Sequence, residues 1–319
     1  MRVLMLGGTS LTGPFAVRRL HALGHEVTVF HRGEHEAELP AGVRHVHGDI
    51  AHFPRELLSP SPEVVVHTWA MTAADAEFLV DTFRGVAARA VVISSGDVYR
   101  SYGRLQRLES GPPDPMPLRE DAPLRESRYP YRKLAPSLDH WMTQYDKIPV
   151  EQIVMSQPDL PATVLRFPAV LGPNQYRRFQ RWLQPMLRGD AELRIQDDWA
   201  EWRWTHGFAE DVAEAVVLAV TNSAAAGRTY NVGEPRAPSM AERLAEFARV
   251  AGWQGRIVRA RASELPEADR MPQDFAHHLA YDTTRIRTEL GYQEVVPHQV
   301  SLAQTLELER TAPDDKPSS

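Results

Sequence analysis

A glycine-rich segment near the start of the chain has the residue types that hold a diphosphate. It reads Leu6-Gly7-Gly8-Thr9-Ser10-Leu11-Thr12-Gly13 and lies between an apolar run and a helical pattern. At a strand–turn–helix junction, backbone N–H groups and the positive end of the helix dipole point towards a bound anion. Ser10 replaces the middle glycine of the usual spacing, and its hydroxyl group can bond a phosphate. We predict a dinucleotide site here; the alternative is an ordinary glycine-rich turn.

The residues after the second and third apolar runs bear on which dinucleotide binds. Arg32 follows the second run, where NAD-specific sites carry an acid for the ribose. A guanidinium group can instead bond the 2′-phosphate of NADP, so we expect NADP, with NAD as the second option. A solvated surface arginine is the alternative. Asp49, with Ile50, follows the third run, and we expect it to bond the adenine amino group or to cap a turn.

The first hundred residues show the pattern of the strands and helices that would position these residues. Short apolar runs lie at 3–6, 26–30, 43–47, 64–68 and 91–94. Segments with helical spacing lie between some of them, at 12–23 and 73–88. Short apolar strands with helix-length connections predict a parallel sheet covered on both faces. The predicted fold class is therefore α/β, a doubly wound sheet of the Rossmann type.

The remaining sequence predicts a less regular succession of elements. Segment 100–128 is rich in proline and charge, which predicts a long surface loop. We expect strands at 162–167 and 229–232. We expect helices at 150–156, 177–188, 211–220, 239–251 and 299–310. Asp211 is predicted as the N-cap of its helix.

Composition excludes several classes of function. The chain has 319 residues, a net charge of −6 and no cysteine, which excludes disulfides, thiolate nucleophiles and cysteine-bound metals. No apolar run has the length of a membrane span or a signal peptide, so we expect no membrane partner and a cytoplasmic location. The acidic balance disfavours nucleic acid as a partner. His45 and His47 share a strand face, but the sequence shows no carboxylate at ligand spacing, so we expect no metal.

Motifs spread along the chain, in this order, resemble those of the extended and atypical short-chain dehydrogenases/reductases, or NAD-dependent epimerase/dehydratase family. They are GGTSLTG (7–13), HGDI (47–50), VISSGDVY (92–99), EDAPLRESRYPYRK (120–133), YDKIPVE (145–151), TVLRFPAVLGP (163–173), FAEDVAEAV (208–216), YNVGE (230–234) and DTTRIRTELGY (282–292). Each motif is weak alone, but their order and spacing over residues 1–310 are specific.

The resemblance implies two domains. Residues 1–172 and 205–227 would form the dinucleotide-binding Rossmann domain. Residues 173–204 and 228–311 would form a smaller C-terminal α/β substrate-binding domain, and residues 312–319 a disordered tail. The resemblance also implies further cofactor contacts, at Trp69, Ala70, Ser94, Lys147, Pro168 and Val170.

The same resemblance implies a tyrosine that exchanges a proton with the substrate oxygen, a serine that bonds that oxygen, and a lysine. The lysine binds the nicotinamide ribose and lowers the tyrosine pKa. Ser95 matches the serine. Lys147, with Glu151 four residues later, matches the family's lysine helix, so we predict Lys147 with Tyr129 or Tyr145 as the acid. In this register Thr143 occupies the tyrosine position and residues 134–146 form an insertion.

Two alternatives remain open for the tyrosine. Tyr129 and Lys133 have the Tyr-x-x-x-Lys spacing themselves, although Pro136 disfavours a helix that continues beyond them. The other alternative is that no tyrosine reaches the nicotinamide ring. The resemblance also implies substrate contacts at Asp97, Tyr99 and Arg203. Asp97 lies where sugar 4,6-dehydratases carry a glutamate base, although an aspartate there can also be a cap.

The predicted function is an NAD(P)-dependent oxidoreductase, epimerase or dehydratase. It would act on a carbonyl or secondary alcohol of a small molecule, either a sugar nucleotide or a natural-product intermediate. The alternative is a regulatory or RNA-binding member that keeps the dinucleotide but lacks redox chemistry. A homodimer is the assembly that the resemblance implies.

Overall fold

The chain is described by a computed structural model over residues 1–173 and 177–311. The predicted disordered tail, 312–319, lies outside the described residues. The first half contains, in chain order, β1 (Arg2–Leu6), α1 (Gly13–Ala22), β2 (Glu26–His31), β3 (Arg44–His47), β4 (Val64–His67), α2 (Ala73–Phe83), β5 (Arg89–Ser95) and α3 (Arg100–Leu105).

The second half of the chain alternates between the large sheet and a smaller region. Its first elements are α4 (Lys147–Met155), β6 (Ala162–Phe167), β7 (Ala169–Leu171), α5 (Gln180–Arg188), β8 (Glu192–Gln196), α6 (Asp197–Glu201) and β9 (His206–Phe208). They are followed by α7 (Ala209–Thr221), β10 (Thr229–Asn231), α8 (Met240–Ala251), β11 (Arg256–Ala260), α9 (Thr284–Leu290) and α10 (His298–Thr311).

The main sheet has seven parallel strands in the order β10-β6-β5-β4-β1-β2-β3. The predicted doubly wound α/β class is confirmed. Successive strands run outward from β1 in both directions, so the strand order reverses between β1 and β4. In open α/β sheets, ligands bind beyond the carboxyl ends of the strands at such a point. The glycine-rich segment leaves β1 at this crevice.

Apolar side chains on the two faces of the sheet belong to different cores. Val91 packs in the core under α1 and α7, whereas its neighbour Val92 packs in the core under α2 and α4. Because both faces are covered, consecutive strand residues are buried, which explains the unbroken apolar runs in the sequence. A third core, around Leu244 and Phe247, supports the smaller region with the short parallel pair β8 and β11.

The boundary between the two regions differs from the one that the resemblance implied. Residues from 228 onward were expected in the smaller domain, but β10 extends the large sheet by pairing with β6. Ile286 and Leu290 of α9 also pack in a core of that sheet. The chain therefore returns to the large sheet twice after residue 205.

Two local predictions are wrong. Segment 100–128 is not entirely a surface loop, because it begins with α3 and buries Asp114, Leu118 and Arg125. Charge and proline suggested exposure, but Asp114 is paired with Arg100 and bonded by Ser101. Asp211 is not an N-cap but lies in the first turn of α7, where its carboxylate accepts hydrogen bonds from the backbone N–H groups of residues 295 and 296.

Candidate active site

The glycine-rich segment forms a tight turn that depends on Gly7, Gly8 and Gly13. Gly7 and Gly8 have φ angles of +84° and +105°, which side chains rarely adopt. A Cβ atom on Gly13 would lie 2.5 Å from backbone atoms of Gly8, so the start of α1 can approach β1 only with glycine. This glycine turn at the amino end of a ten-residue helix fits the diphosphate of a dinucleotide.

Arg32 and Asp49 lie at the carboxyl ends of β2 and β3. The Arg32 side chain is half exposed and pairs with Glu34 at 2.9 Å. Asp49 accepts a hydrogen bond of 2.8 Å from the N–H of Ala51 and caps a short 3₁₀ turn that begins at Ile50. The capping alternative for Asp49 is therefore present in the structure, and Arg32 remains accessible to a ligand.

Lys147 is the first residue of α4 and is almost completely buried. Its ammonium group donates hydrogen bonds of 2.7 Å to the Ala70 carbonyl and 3.0 Å to the Ile93 carbonyl. These carbonyls belong to residues at the ends of β4 and β5, so Lys147 lies beside the crevice. Burial lowers the Lys147 pKa to about 8, although nearby carboxylates oppose the shift.

Tyr145 lies beside Lys147 and faces Asp97. Its hydroxyl group donates a hydrogen bond of 2.7 Å to Oδ2 of Asp97, and the Lys147 Nζ atom is 5.7 Å from the centre of its ring. Asp97 is buried after the end of β5, and its Oδ1 atom has no hydrogen-bond partner within the described residues. Tyr145, Asp97 and Lys147 thus meet at one end of the sheet.

Two aromatic residues that the sequence did not assign to the site, Tyr131 and Trp141, contact this group. Tyr131 donates a second hydrogen bond to Oδ2 of Asp97, at 3.1 Å, and its ring lies 5.0 Å from that of Tyr145. Trp141 contacts Tyr145 on one side and Trp69 on the other. Tyr131 is in the motif around Tyr129, but the Tyr-x-x-x-Lys spacing pointed to Tyr129. The position of Trp141 depends on the insertion.

Asp146 fixes the insertion relative to the sheet. It is fully buried, and its carboxylate accepts hydrogen bonds from Arg125 at 3.1 Å and Arg128 at 2.7 Å. The same carboxylate accepts from the N–H of Ile148, as an N-cap of α4, and from the N–H of Tyr129. A polar residue buried with this many donors holds the chain in one arrangement on both sides of the insertion.

The second candidate pair, Tyr129 and Lys133, does not form a site in the structure. Lys133 is exposed in a short 3₁₀ turn. Tyr129 has a φ angle of +55°, and its ring is covered by the Arg132 guanidinium at 3.9 Å. Neither side chain contacts Asp97 or Lys147 in the structure. Thr143, at the tyrosine position of the Lys147 register, donates its hydroxyl to the backbone of residues 138 and 140.

Electrostatics keeps the Tyr145 phenol protonated. Burial, and then the charge of Asp97, raise the pKa of Tyr145 well above its usual value, and Ser95 only partly opposes this. Burial also raises the pKa of Asp97. His67, buried below Lys147, has its pKa lowered to about 4, chiefly by burial, and is neutral at pH 7. Lys147 therefore carries a positive charge beside Tyr145, and the Arg125 guanidinium carries another next to Asp97.

A second buried network lies beneath the site and contains two residues from the predicted set. Ser94 donates a 2.6 Å hydrogen bond to Glu151, which pairs with Arg166 at 2.7 Å. Arg166 also donates to the Tyr99 hydroxyl, which in turn donates to Asn231. Because Tyr99 is fully buried and its hydroxyl group is satisfied, this placement supports a structural role in preference to substrate contact.

The other predicted residues take varied positions. The Ser95 hydroxyl accepts a hydrogen bond from the N–H of Asp97, at 3.3 Å. Pro168 is buried between β6 and β7, and Val170 is buried within β7. The Arg203 guanidinium donates a hydrogen bond to the Ala237 carbonyl and pairs with Glu242 near the start of α8. Its partners therefore differ from those of Asp97.

The glycine turn and the tyrosine–lysine pair at the strand ends define a class, the Rossmann-fold enzymes that use a nicotinamide dinucleotide. The sequence pattern of the NAD dependent epimerase/dehydratase family matches residues 3–233. The chain belongs to this family, so the predicted membership of the NAD-dependent epimerase/dehydratase family is confirmed. Within the described residues, no helix combines the length and apolar character that crossing a membrane requires.

Two relatives, a reductase and an epimerase, are similar to the chain in sequence. The chain is 29% identical to 2'-dehydrokanamycin reductase from Streptomyces kanamyceticus over 238 residues, which are 71% of this chain and 60% of the reductase. It is 28% identical to UDP-glucose 4-epimerase from Corynebacterium glutamicum over 269 residues, which are 73% of this chain and 75% of the epimerase. The chain thus spans less than two thirds of the reductase's length.

Solved structures with the same fold cover nearly the whole chain. One is UDP-glucuronic acid 4-epimerase from Bacillus cereus in complex with UDP-glucuronic acid and NAD, with a TM-score of 0.70, 17% identity and coverage of 97% of this chain and 99% of the epimerase. Another is UDP-glucose 4-epimerase from Thermus thermophilus in complex with NAD, with a TM-score of 0.65, 21% identity and coverage of 98% and 100%.

Proposed function

We propose that the protein is an NADP-dependent reductase that converts a ketone of a small polyhydroxylated molecule into a secondary alcohol. The observation that carries this proposal is the contact between Tyr145, Asp97 and Lys147 at the strand ends. Within the described residues, these side chains bring a phenolic proton, a carboxylate and a positive charge together at the crevice.

Each residue has a distinct role in the proposed reaction. The bound dinucleotide supplies hydride from its nicotinamide ring. Tyr145 donates its proton to the substrate oxygen as negative charge develops there. Lys147 stabilises the phenolate that remains, because an opposite charge nearby favours the ionised form. Ser95, within reach of the same hydroxyl group, holds the substrate oxygen. Asp97 positions the Tyr145 hydroxyl.

The raised pKa of Tyr145 keeps the phenol protonated, which suits the role of proton donor in a reduction. A general acid must be protonated when substrate binds, and burial beside Asp97 keeps the phenol protonated at neutral pH. Oxidation of an alcohol would need the phenolate at the start, which the same environment disfavours. The similarity to a reductase among the characterised relatives supports this direction.

The choice of NADP rests on Arg32. Its half-exposed guanidinium lies after β2, where a 2′-phosphate can replace the carboxylate of Glu34 as its partner. Arginine recognises phosphate through planar, charge-assisted hydrogen bonds. The turn at Gly7 and Gly8, with Gly13, would hold the diphosphate, and Lys147 would bond the nicotinamide ribose.

The substrate class follows from the aromatic side chains near Tyr145. Tyr131 and Trp141 pack edge-on against Tyr145, and Trp69 packs against Trp141, so aromatic surface and a hydroxyl group lie beside the proton donor. Such amphipathic surfaces suit a ring that has both C–H faces and hydroxyl groups. The relatives are named for UDP-glucose and for 2'-dehydrokanamycin, which supports a keto-sugar or keto-cyclitol derivative as the substrate.

The test is a turnover screen with NADPH. Keto-sugar nucleotides and ketone derivatives of aminoglycosides are incubated with the protein, and loss of the reduced-nicotinamide absorbance is followed. We expect turnover with at least one ketone, and little or no reverse reaction when the corresponding alcohol is incubated with NADP⁺ at neutral pH. If NADPH binds but no carbonyl compound in the panel oxidises it, the proposed reaction is contradicted.

Three finer expectations belong to the same proposal. The substrate would bind between the large sheet and the region built on β8, β11 and α8. The lack of cysteine suits a cytoplasmic location. A homodimer is the expected assembly, and light scattering of the purified protein measures it directly.

A further inference from the structure

A cluster of imidazole and carboxylate groups lies at the edge of the main sheet, outside the proposed catalytic group. His31, Glu36 and His45 each offer one ligand atom, and these atoms all lie within 4.8 Å of one another. His31 ends β2, His45 is in the edge strand β3, and Glu36 lies in the connection between the two strands. The sequence did not reveal this carboxylate because the connection between the strands brings Glu36 to the histidines.

We propose that His31, Glu36 and His45 bind a divalent transition-metal ion of the zinc type. Zinc is held by histidine nitrogen and carboxylate oxygen atoms at about 2.0–2.2 Å, usually with four ligands. Two ligands of a tetrahedral zinc ion are therefore roughly 3.4 Å apart. His45 and Glu36 are exposed, so small side-chain rotations can shorten the present separations. Water would complete the coordination.

The surroundings favour a cation over an anion. The His31 side chain is 93% buried, since 7% of its surface is exposed, and its Nε2 atom has no hydrogen-bond partner within the described residues. Glu36 places negative charge within the cluster, which a bound phosphate would oppose. His47 bonds Oε1 of Glu36 at 2.9 Å and acts as a positioning residue for the carboxylate. Parallel pairing of His31 with His47 fixes the backbone beneath the cluster.

Untagged, metal-free protein is titrated with Zn²⁺ by calorimetry, in the absence of nucleotide because Arg32 follows His31. We expect one ion per chain. His45→Ala and Glu36→Gln should each weaken binding by about 10-fold or more, in line with the loss that disturbed metal sites show. Both residues are exposed, and circular dichroism checks that the variants fold. His35→Ala, next to Glu36 but outside the cluster, should bind as the parent protein does.

A Co²⁺ titration gives an independent readout, because four-coordinate Co²⁺ has a strong visible absorption that six-coordinate Co²⁺ lacks. The proposal is overturned if the parent protein binds no stoichiometric Zn²⁺, or if His45→Ala and Glu36→Gln bind it unchanged. Equal loss of binding in His35→Ala would also overturn the assignment to these three residues. A failure here leaves the cofactor and turnover proposals untouched, because neither is measured in these titrations.

Discussion

The Lys147 ammonium group lies 5.7 Å from the ring centre of Tyr145, although only Asp146 separates the two residues in sequence. A tyrosine and a lysine four residues apart would meet on one face of a helix. Here Lys147 begins α4 and Tyr145 precedes its cap, so an extended turn at Asp146 brings them together. Tyr145 and Lys147 are in contact although the Tyr-x-x-x-Lys motif is disturbed, because buried Asp146 fixes the direction of the chain between them.

Turnover should depend on the Lys147 charge. Burial lowers the Lys147 pKa from 10.5 to about 8, so the ammonium loses its proton as pH rises through that value. The charge that stabilises the Tyr145 phenolate is present below pH 8 and lost above it, while the phenol stays protonated throughout. We expect kcat/KM for carbonyl reduction to fall above about pH 8, as measured by a pH–rate profile of the free enzyme.

Lys147→Arg is the control for this profile, because an arginine stays protonated over the whole range. This variant should be slower but should lack the decline near pH 8. A parent profile that stays flat to pH 10 would show that the Lys147 charge does not limit the reaction.

Arg32 should determine the preference for the 2′-phosphate. Arg32→Ala removes a charge-assisted bond worth about 1.5–3 kcal/mol, so NADPH affinity should fall by about 10–100-fold while NADH affinity is unchanged. Glu34→Gln removes the competing carboxylate and should modestly strengthen NADPH binding. Fluorescence titration of the reduced nucleotides measures both. An unchanged ratio of NADPH to NADH affinity in Arg32→Ala would exclude this role.

Gly13 should be required for the diphosphate turn. A Cβ atom at this position would lie 2.5 Å from the Gly8 backbone, so Gly13→Ala must push the helix away from β1. We expect loss of dinucleotide affinity and destabilisation of about 1–3 kcal/mol by denaturant unfolding. Gly24→Ala is the matched control, since its φ angle of +81° makes it strained but its Cβ meets open space. Equal nucleotide affinity in both variants would argue against the turn as the binding site.

The ion pair beneath the site should contribute to stability. Glu151 and Arg166 side chains are only 8% and 5% exposed, and removing one partner leaves the other charge buried. Glu151→Gln should lower the free energy of unfolding by about 3–5 kcal/mol. Glu307→Gln breaks an exposed pair with Arg310 and should have little effect. Urea unfolding compares the two, and equal effects would contradict the role assigned to burial.

The sequence predicted the parallel sheet because its central strands are apolar on both faces and two of the connections between strands have a helical period. It also predicted the turn at Gly7, and it singled out Lys147, whose role in the reaction stays a prediction. It left the tyrosine open, since Tyr129 and Tyr145 differ only in how the insertion folds. That fold depends on long-range contacts of Asp146 with Arg125 and Arg128, which no local pattern reveals. Asp114 and Glu36 were missed for the same reason.

The most direct measurement compares the single-turnover rates of Tyr145→Phe and Tyr129→Phe with NADPH and the ketone identified by the screen. Both variants keep their aromatic rings, and nucleotide affinity is measured alongside to confirm an intact dinucleotide site. We predict that Tyr145→Phe lowers the rate by about 10²–10⁴-fold, whereas Tyr129→Phe leaves it within a few-fold of the parent. A parental rate in Tyr145→Phe, or a large loss confined to Tyr129→Phe, would contradict the assignment of Tyr145 as the proton donor.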